Sequence, residues 1–244
     1  MAKVLILSGA GISAESGIST FRDSGGLWEE YDVSVVCNYD SMQKHEELTI
    51  EFYDKRRAEL ESKEPNYAHK VIADLKRRYG RDIVVITQNV DNLFEKAGLK
   101  SSDIIHLHGF LREIRCQDPY CEQIFDIGYT KQREFNGGGC PSCGSKLRPN
   151  IVFFGEQAPK YEELGRHVQD CELLVVIGTS GNVIGVNTMA QFATRSILNN
   201  YEPSSAINDA YFSKVLYKKA TEAVDEIAEE IESFLDSINS LKKL

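Results

Sequence analysis

The sequence has no apolar stretch long enough to cross a membrane. Its longest runs, such as Leu173–Ile177, are strand-sized, whereas a span needs roughly 20 apolar residues. It also lacks positive charge: Lys and Arg number 28 against 37 Asp and Glu, for a formal net charge of -9 and a pI of about 5.2. Such a surface repels phosphate backbones, which argues against nucleic acid as a direct partner. The apolar part of residues 1–8 is too short for a secretory leader and runs straight into a glycine turn. There is no internal repeat, no low-complexity tract, and no G-x-S-x-G elbow or Cys-His pairing to support a covalent hydrolase. These absences predict a cytoplasmic protein without membrane or nucleic-acid partners. Six cysteines in such a chain argue against a disulfide framework.

What is present fits one sizeable core with a small satellite module: 244 residues, 42% hydrophobic and 27% charged. Short apolar runs rich in β-branched residues at 4–7, 83–86, 104–107, 151–154 and 173–177 have the character of strands buried on both faces. Helical spacing lies between and after them. Leu48, Phe52 and Leu60 keep it in a segment ending near Pro65; Ala68, Ile72 and Leu75 keep it up to the stop signal Gly80; Val224, Ile227, Ile231, Phe234, Leu235 and Ile238 form an amphipathic helix with an acidic outer face. Alternating strands and helices predict an α/β fold with a parallel sheet covered on both sides, and ligands at the strands' carboxyl ends. Residues 23–66 and 110–149 break the alternation and are expected to form a second, smaller domain. The segments 1–22, 67–109 and 150–244 then make the main one.

The motifs cluster at those strand ends. Gly9, Gly11 and Ala14 fit G-x-G-x-x-[G/A] directly after the first strand, where glycines let backbone N–H groups approach a pyrophosphate. A plain strand-to-helix turn and an ordinary dehydrogenase remain alternatives for that motif alone. Thr20, Phe21 and Arg22 form a loop suited to cover a nucleotide. Gln88, Asn89 and Asp91 put amides and a carboxylate at a strand end, suited to ribose hydroxyls and a carboxamide, with Asp91 also a candidate helix cap. His106 and His108 share one face of their strand, and His108 stands at its end beside Gly109. Gly178, Thr179 and Ser180 form a second small polar turn. Cys116-x4-Cys121 and Cys140-x2-Cys143, with Gly137, Gly138, Gly139 and Gly144 for tight turns, have the spacing of a structural four-thiolate zinc site. Four protein ligands close that sphere, so this metal should not activate water. Cys37 and Cys171 read as ordinary small core residues.

Taken in order, GAGISAESGI, TFR, TQNVDNL, HLHG, C-x4-C, C-x2-C, FFGE and GTS closely resemble the sirtuin family over nearly the whole chain. The resemblance implies a Rossmann-like domain with helices on both faces plus a small zinc-binding domain. It implies an NAD+ site lined by Gly9, Ala10, Gly11, Ile12, Ser13, Glu15, Thr20, Phe21, Arg22, Trp28, Gln88, Asn89, Val90, Asp91, Gly178, Thr179, Ser180, Asn208 and Ala220. It implies NAD-dependent deacylation of acylated lysine in proteins or peptides. The acyl oxygen attacks the nicotinamide ribose, His108 is the general base for a ribose hydroxyl, Asn89 and Asp91 position the sugar and the amide, and O-acyl-ADP-ribose is released. It also implies that Val152, Phe153, Phe154 and Gly155 pair with an extended substrate. Tyr53 and Arg56, three apart on a predicted helix, share a face, and a phenol beside a guanidinium suits a carboxylate. They resemble the pocket of sirtuins that prefer succinyl, malonyl or glutaryl lysine. A conventional dehydrogenase, a zinc-ribbon binding module and a mono-ADP-ribosyltransferase are the competing readings.

Overall fold

The computed structural model describes residues 3–19 and 31–241. Six strands form one parallel sheet: β1 (Val4–Ser8), β2 (Ile83–Thr87), β3 (Ile104–His106), β7 (Leu173–Ile177), β8 (Arg195–Asn200) and β9 (Lys214–Tyr217), in the order β3-β2-β1-β7-β8-β9. Three more, β4 (Gly109–Cys116), β5 (Ile124–Asp126) and β6 (Leu147–Ile151), form an antiparallel sheet in the order β5-β4-β6.

Period-two alternation explains why β1 lies at the centre. Val4 and Ile6 enter the core on one face with Ile72 and Leu75 of helix Tyr67–Tyr79 and Val224, Ile227 and Ile231 of helix Ala220–Leu241. Leu5 and Leu7 enter the opposite core with Leu164 and Val168 of helix Tyr161–Asp170 and Met189 of helix Val186–Phe192. All four β1 side chains are sealed from solvent. At roughly 1.5–3 kcal/mol for each fully buried aliphatic side chain, a one-residue slip of this strand is prohibitive. The chain builds outward from β1 through β2 and β3, then returns to its other side for β7, β8 and β9. The reversal between β1 and β7 is a topological switch point, where open α/β sheets bind ligands.

The segments outside this sheet meet in a third core. Tyr31, Val36, Cys37, Phe52, Tyr53 and Leu60 pack there with Leu111, Ile151 and Phe153. Arg57, fully buried, fastens helix Glu46–Glu61 to the antiparallel sheet by donating to the Leu111 carbonyl at 2.7 Å and pairing with Asp54. At the helix's carboxyl end Lys96 donates to the carbonyls of Leu60, Glu61 and Lys63, which a helix cannot satisfy internally.

Three features differ from the sequence expectation. The run at 151–154 is not a strand of the parallel sheet: Ile151 ends β6, and Phe154 makes one isolated parallel bridge to Asn38. The run is apolar because Ile151 and Phe153 fill the third core. Strands β8 and β9 were not expected, since one begins and ends on polar residues and the other is a half-exposed edge. The glycine motif itself forms two 3-10 turns, Ala10–Ile12 and Ala14–Ser16, and so is not the plain strand-to-helix turn that stood as its alternative.

Gly109 marks where the two sheets join. Its φ is +91°, and a Cβ there would lie 2.0 Å from the Asn150 carbonyl oxygen. Gly128 also has positive φ (+61°), but nothing lies within 4 Å of its Cβ position. Gly109→Ala is expected to cost about 2–3 kcal/mol, or roughly 5–10 °C in Tm, and Gly128→Ala only about 1 kcal/mol. Thermal unfolding of the two variants side by side measures the difference.

Candidate active site

The switch point is built from two turns in backbone contact. A Cβ on Gly9 would come within 2.7 Å of the Gly178 carbonyl oxygen, and one on Gly11 within 2.7 Å of the Gly178 Cα. The N–H groups of Gly9 and Gly11 donate to the carbonyls of Ile177 and Gly178 at 2.9 and 2.8 Å. The two glycines thus serve the close approach of two strand-end turns. Ile12, also expected at the cofactor, sends its side chain into the core with no exposure.

Beside these turns the β2 end carries the polar cluster. Gln88 Nε2 donates to Thr179 Oγ1 at 3.0 Å, joining the ends of β2 and β7. Ser13 gathers three partners. Its hydroxyl donates to Asp91 Oδ2 at 2.9 Å, accepts from Asn89 Nδ2 at 3.0 Å, and faces His69 Nε2 at 3.4 Å. Asp91 is buried, which pushes its carboxyl pKa up, and its other oxygen accepts from the Leu93 N–H. His69 was missed in the sequence. Burial pushes its pKa down to about 3, so it stays neutral. Its one available signal was a polar residue at helical spacing on the same face as Ile72.

Both expected histidines reach back to the same loop. His106 Nδ1 lies 3.0 Å from the Asn89 carbonyl oxygen, and its Nε2 lies 2.9 Å from Glu95 Oε1, so this ring is held inside the protein. His108 Nδ1 lies 3.0 Å from the Gln88 carbonyl oxygen. A carbonyl only accepts, so His108 carries its proton on Nδ1 and presents the Nε2 lone pair outward. Burial lowers the His108 pKa from 6.5, against a smaller raising effect of the Gln88 carbonyl. The Tyr161 hydroxyl, also missed in the sequence, lies 2.8 Å from Nε2. Only an aromatic at the start of an amphipathic helix pointed to it.

The next segment flanks this histidine. Val152 N–H donates to the His108 carbonyl at 2.9 Å, and Phe154 exchanges backbone bonds with Cys37 and Tyr39 at 2.8 and 3.0 Å. Glu156 accepts from the Phe153 N–H at 2.9 Å while its other oxygen pairs with buried Arg148 at 2.7 Å. The N–H groups of 152, 153 and 154 are thus engaged internally, and the Phe153 and Phe154 carbonyls accept from the Glu156 and Tyr39 N–H groups at 3.0 Å each. Behind the segment, the ring of buried Tyr53 stands edge-on to Phe153 at 5.6 Å, and its hydroxyl donates to Cys37 Sγ at 3.6 Å. The Arg56 guanidinium lies over the Phe52 ring at 5.6 Å, and its charge works against the rise that burial causes in the Tyr53 pKa.

Glu15 takes the Thr221 N–H at 3.1 Å and its hydroxyl at 2.8 Å, at the first turn of helix Ala220–Leu241, whose Ala220 is buried. Asn208 caps the 3-10 turn Asp209–Tyr211 and bonds Asn187 through its N–H. Ala10 and Ser180 sit half-buried on the two turns, and Val90 packs against the third core. Thr20, Phe21, Arg22 and Trp28 lie outside the described residues.

The four cysteines converge. The sulfurs of Cys116, Cys121, Cys140 and Cys143 all lie within 4.8 Å of one another, with the pairs 116–143 and 121–140 at 3.5 and 3.8 Å. Tetrahedral zinc with Zn–S of about 2.3 Å needs sulfurs about 3.8 Å apart. The donor set therefore fits a closed zinc site. β4 runs from Gly109 beside His108 to Cys116, which puts the thiolates roughly 20 Å from the imidazole at about 3.3 Å per strand residue. A metal there is architectural.

A model of the Sir2 family matches residues 9–185. The chain belongs to the Sir2 family. This sirtuin is 48% identical over 240 residues to the NAD-dependent protein deacylase of Campylobacter jejuni subsp. jejuni serotype O:2, covering 98% of this chain and 100% of that one. It is 43% identical over 262 residues to the NAD-dependent protein deacylase of Helicobacter hepaticus, covering 97% and 100%. Among solved structures it resembles a mutant Sir2 homologue in complex with ADP-ribose, with a TM-score of 0.82 at 32% identity over 96% of this chain and 93% of that one. A Sir2 homologue–NAD complex gives 0.81 at 33% identity over 96% and 90%.

The cysteine geometry sets an expectation for the purified sirtuin. Elemental analysis should find one zinc per chain. Cys140→Ala, or a strong chelator, should remove it and lower the melting temperature of the enzyme, because apo thiolate modules of this size lose their folding energy with the metal.

Proposed function

We propose that this sirtuin removes acyl groups from protein lysine side chains with NAD+ as co-substrate, releasing nicotinamide and O-acyl-ADP-ribose, and that His108 is its general base. The observation that carries the reading is the Nδ1–H bond to the Gln88 carbonyl, which leaves Nε2 as the ring's acceptor at the carboxyl end of the sheet, while burial favours the neutral form. When bound, NAD+ supplies a sugar carbon made electrophilic by a departing nicotinamide. The chain's own part is orientation and proton transfer. His108 Nε2 takes the proton of a ribose hydroxyl, a step suited to a histidine that titrates near or below neutrality. Asn89 and Asp91, locked together through Ser13, hold the sugar and the carboxamide. The Gln88–Thr179 bond ties together the two strand ends that would flank the dinucleotide.

The substrates are acylated lysines in extended protein segments that dock along the stretch 152–155. Acyl groups ending in a carboxylate, such as succinyl and malonyl, suit the side chains grouped behind that segment. Tyr53, Cys37 and Arg56 meet there, and a half-buried guanidinium beside a phenol is a fork for a carboxylate. The described helices include none long and apolar enough to cross a membrane.

Burial holds the His108 pKa below 6.5, so the base is already deprotonated at neutral pH. In the cofactor-free enzyme kcat/KM should fall only as pH drops through that lowered value, and should be flat from about pH 6.5 to 8. His108→Ala should remove the limb together with the activity, read by mass spectrometry of acyl-lysine peptides with and without NAD+. Arg56→Met should lower kcat/KM for succinyl-lysine peptide by about 10–100-fold, the equivalent of one charge-assisted hydrogen bond, and that for acetyl-lysine much less. Equal loss on both peptides would remove the acidic-acyl reading.

A further inference from the structure

We propose that Tyr161 is a positioning residue for the general base: its phenol occupies the Nε2 lone pair of His108 until a ribose hydroxyl displaces it. The inference rests on the reading of His108 as base. A neutral imidazole with Nδ1–H directed to the Gln88 carbonyl at 3.0 Å has a single remaining acceptor, Nε2. The Tyr161 hydroxyl lies 2.8 Å from that atom, with the rings tilted at 49° and their centroids 5.9 Å apart. Direction follows from chemistry: the phenol must donate, because Nε2 has no proton to give. Burial raises the Tyr161 pKa and lowers that of His108, so both partners are in the required state at neutral pH.

One lone pair takes one donor. The hydroxyl that His108 is to deprotonate therefore competes with Tyr161 for the same nitrogen. The position of Tyr161 suits an exchange partner. It opens helix Tyr161–Asp170, its N–H bonds the Ala158 carbonyl at 3.1 Å, and its side chain is 36% exposed on the rim rather than locked in a core. A ring there can turn to water without leaving a cavity behind. In the meantime it holds the imidazole in the orientation and tautomer that the reaction needs. It also ties the base to the chain segment that follows the substrate-binding stretch at 152–155.

Tyr161→Phe keeps the ring and deletes only the competing hydroxyl. Titration calorimetry with ADP-ribose is expected to show binding about two- to tenfold tighter than wild type, the worth of one net hydrogen bond. The gain should vanish when His108→Ala is already present, because the two residues then have nothing to share. In 15N-histidine NMR of the cofactor-free enzyme, the Nε2 signal of His108 should move toward that of a bare acceptor nitrogen on Tyr161→Phe. Unchanged affinity and an unchanged Nε2 signal would overturn the assignment, as would an equal gain in both backgrounds, which would mark a packing effect. Full deacylase activity in His108→Ala alone would overturn the base reading and the proposal with it. An inactive His108→Ala with no coupling to Tyr161 would overturn the Tyr161 assignment and leave the base reading standing.

Discussion

Two consecutive carbonyls, those of Gln88 and Asn89, each hold an imidazole nitrogen, and the chemistry of the cleft depends on this pair of bonds. The loop that bears them is the direct continuation of β2, so its position is inherited from a strand sealed in the core. His108 is thereby given a tautomer and a direction without a carboxylate partner, and burial favours its neutral state. His106, two residues earlier at the end of β3, is turned inward to Glu95 and steadies the loop from behind. Two histidines of the same local motif thus acquire opposite roles through what lies beneath each ring.

The cleft's second wall depends on how the small antiparallel sheet is fixed to the large parallel one. Gly109 is the joint, and the segment after β6 passes it again, bonding the His108 carbonyl through Val152. Arg57 and Lys96 secure the carboxyl-terminal half of the flanking helix, and the Arg148–Glu156 pair closes the loop beyond Phe153. A buried ion pair contributes little net stability, but removal of one partner is costly, so such pairs specify geometry more than they stabilise. Here the geometry specified is that of the strip along which a peptide would lie.

Legibility in the sequence followed locality. The runs that became β1, β2 and β7 were readable because both faces of each strand are buried, which leaves an unbroken apolar signature. The zinc site was readable because its ligands come in two short-range pairs. The segment at 151–154 was misassigned for the same reason β1 was right: its apolar residues are buried, but in a different core. Ile12 was placed at the cofactor by its motif, while its side chain serves packing. The partners of Ser13, His69 and Tyr161 are fixed by tertiary contacts across 53 to 78 positions of chain, and no local pattern encodes those. Tyr53 and Arg56 were visible as a helical pair, whereas the thiol of Cys37 that meets them emerged only with the fold.

Gly9, Gly11 and Gly178 touch one another through backbone alone, and each already carries the smallest side chain available. Enlarging one cannot be compensated by shrinking another, so the three behave as a single unit under mutation. Directed evolution of this enzyme therefore has no stepwise route through these positions. Variation that reshapes the dinucleotide crevice has to enter from the polar residues around it.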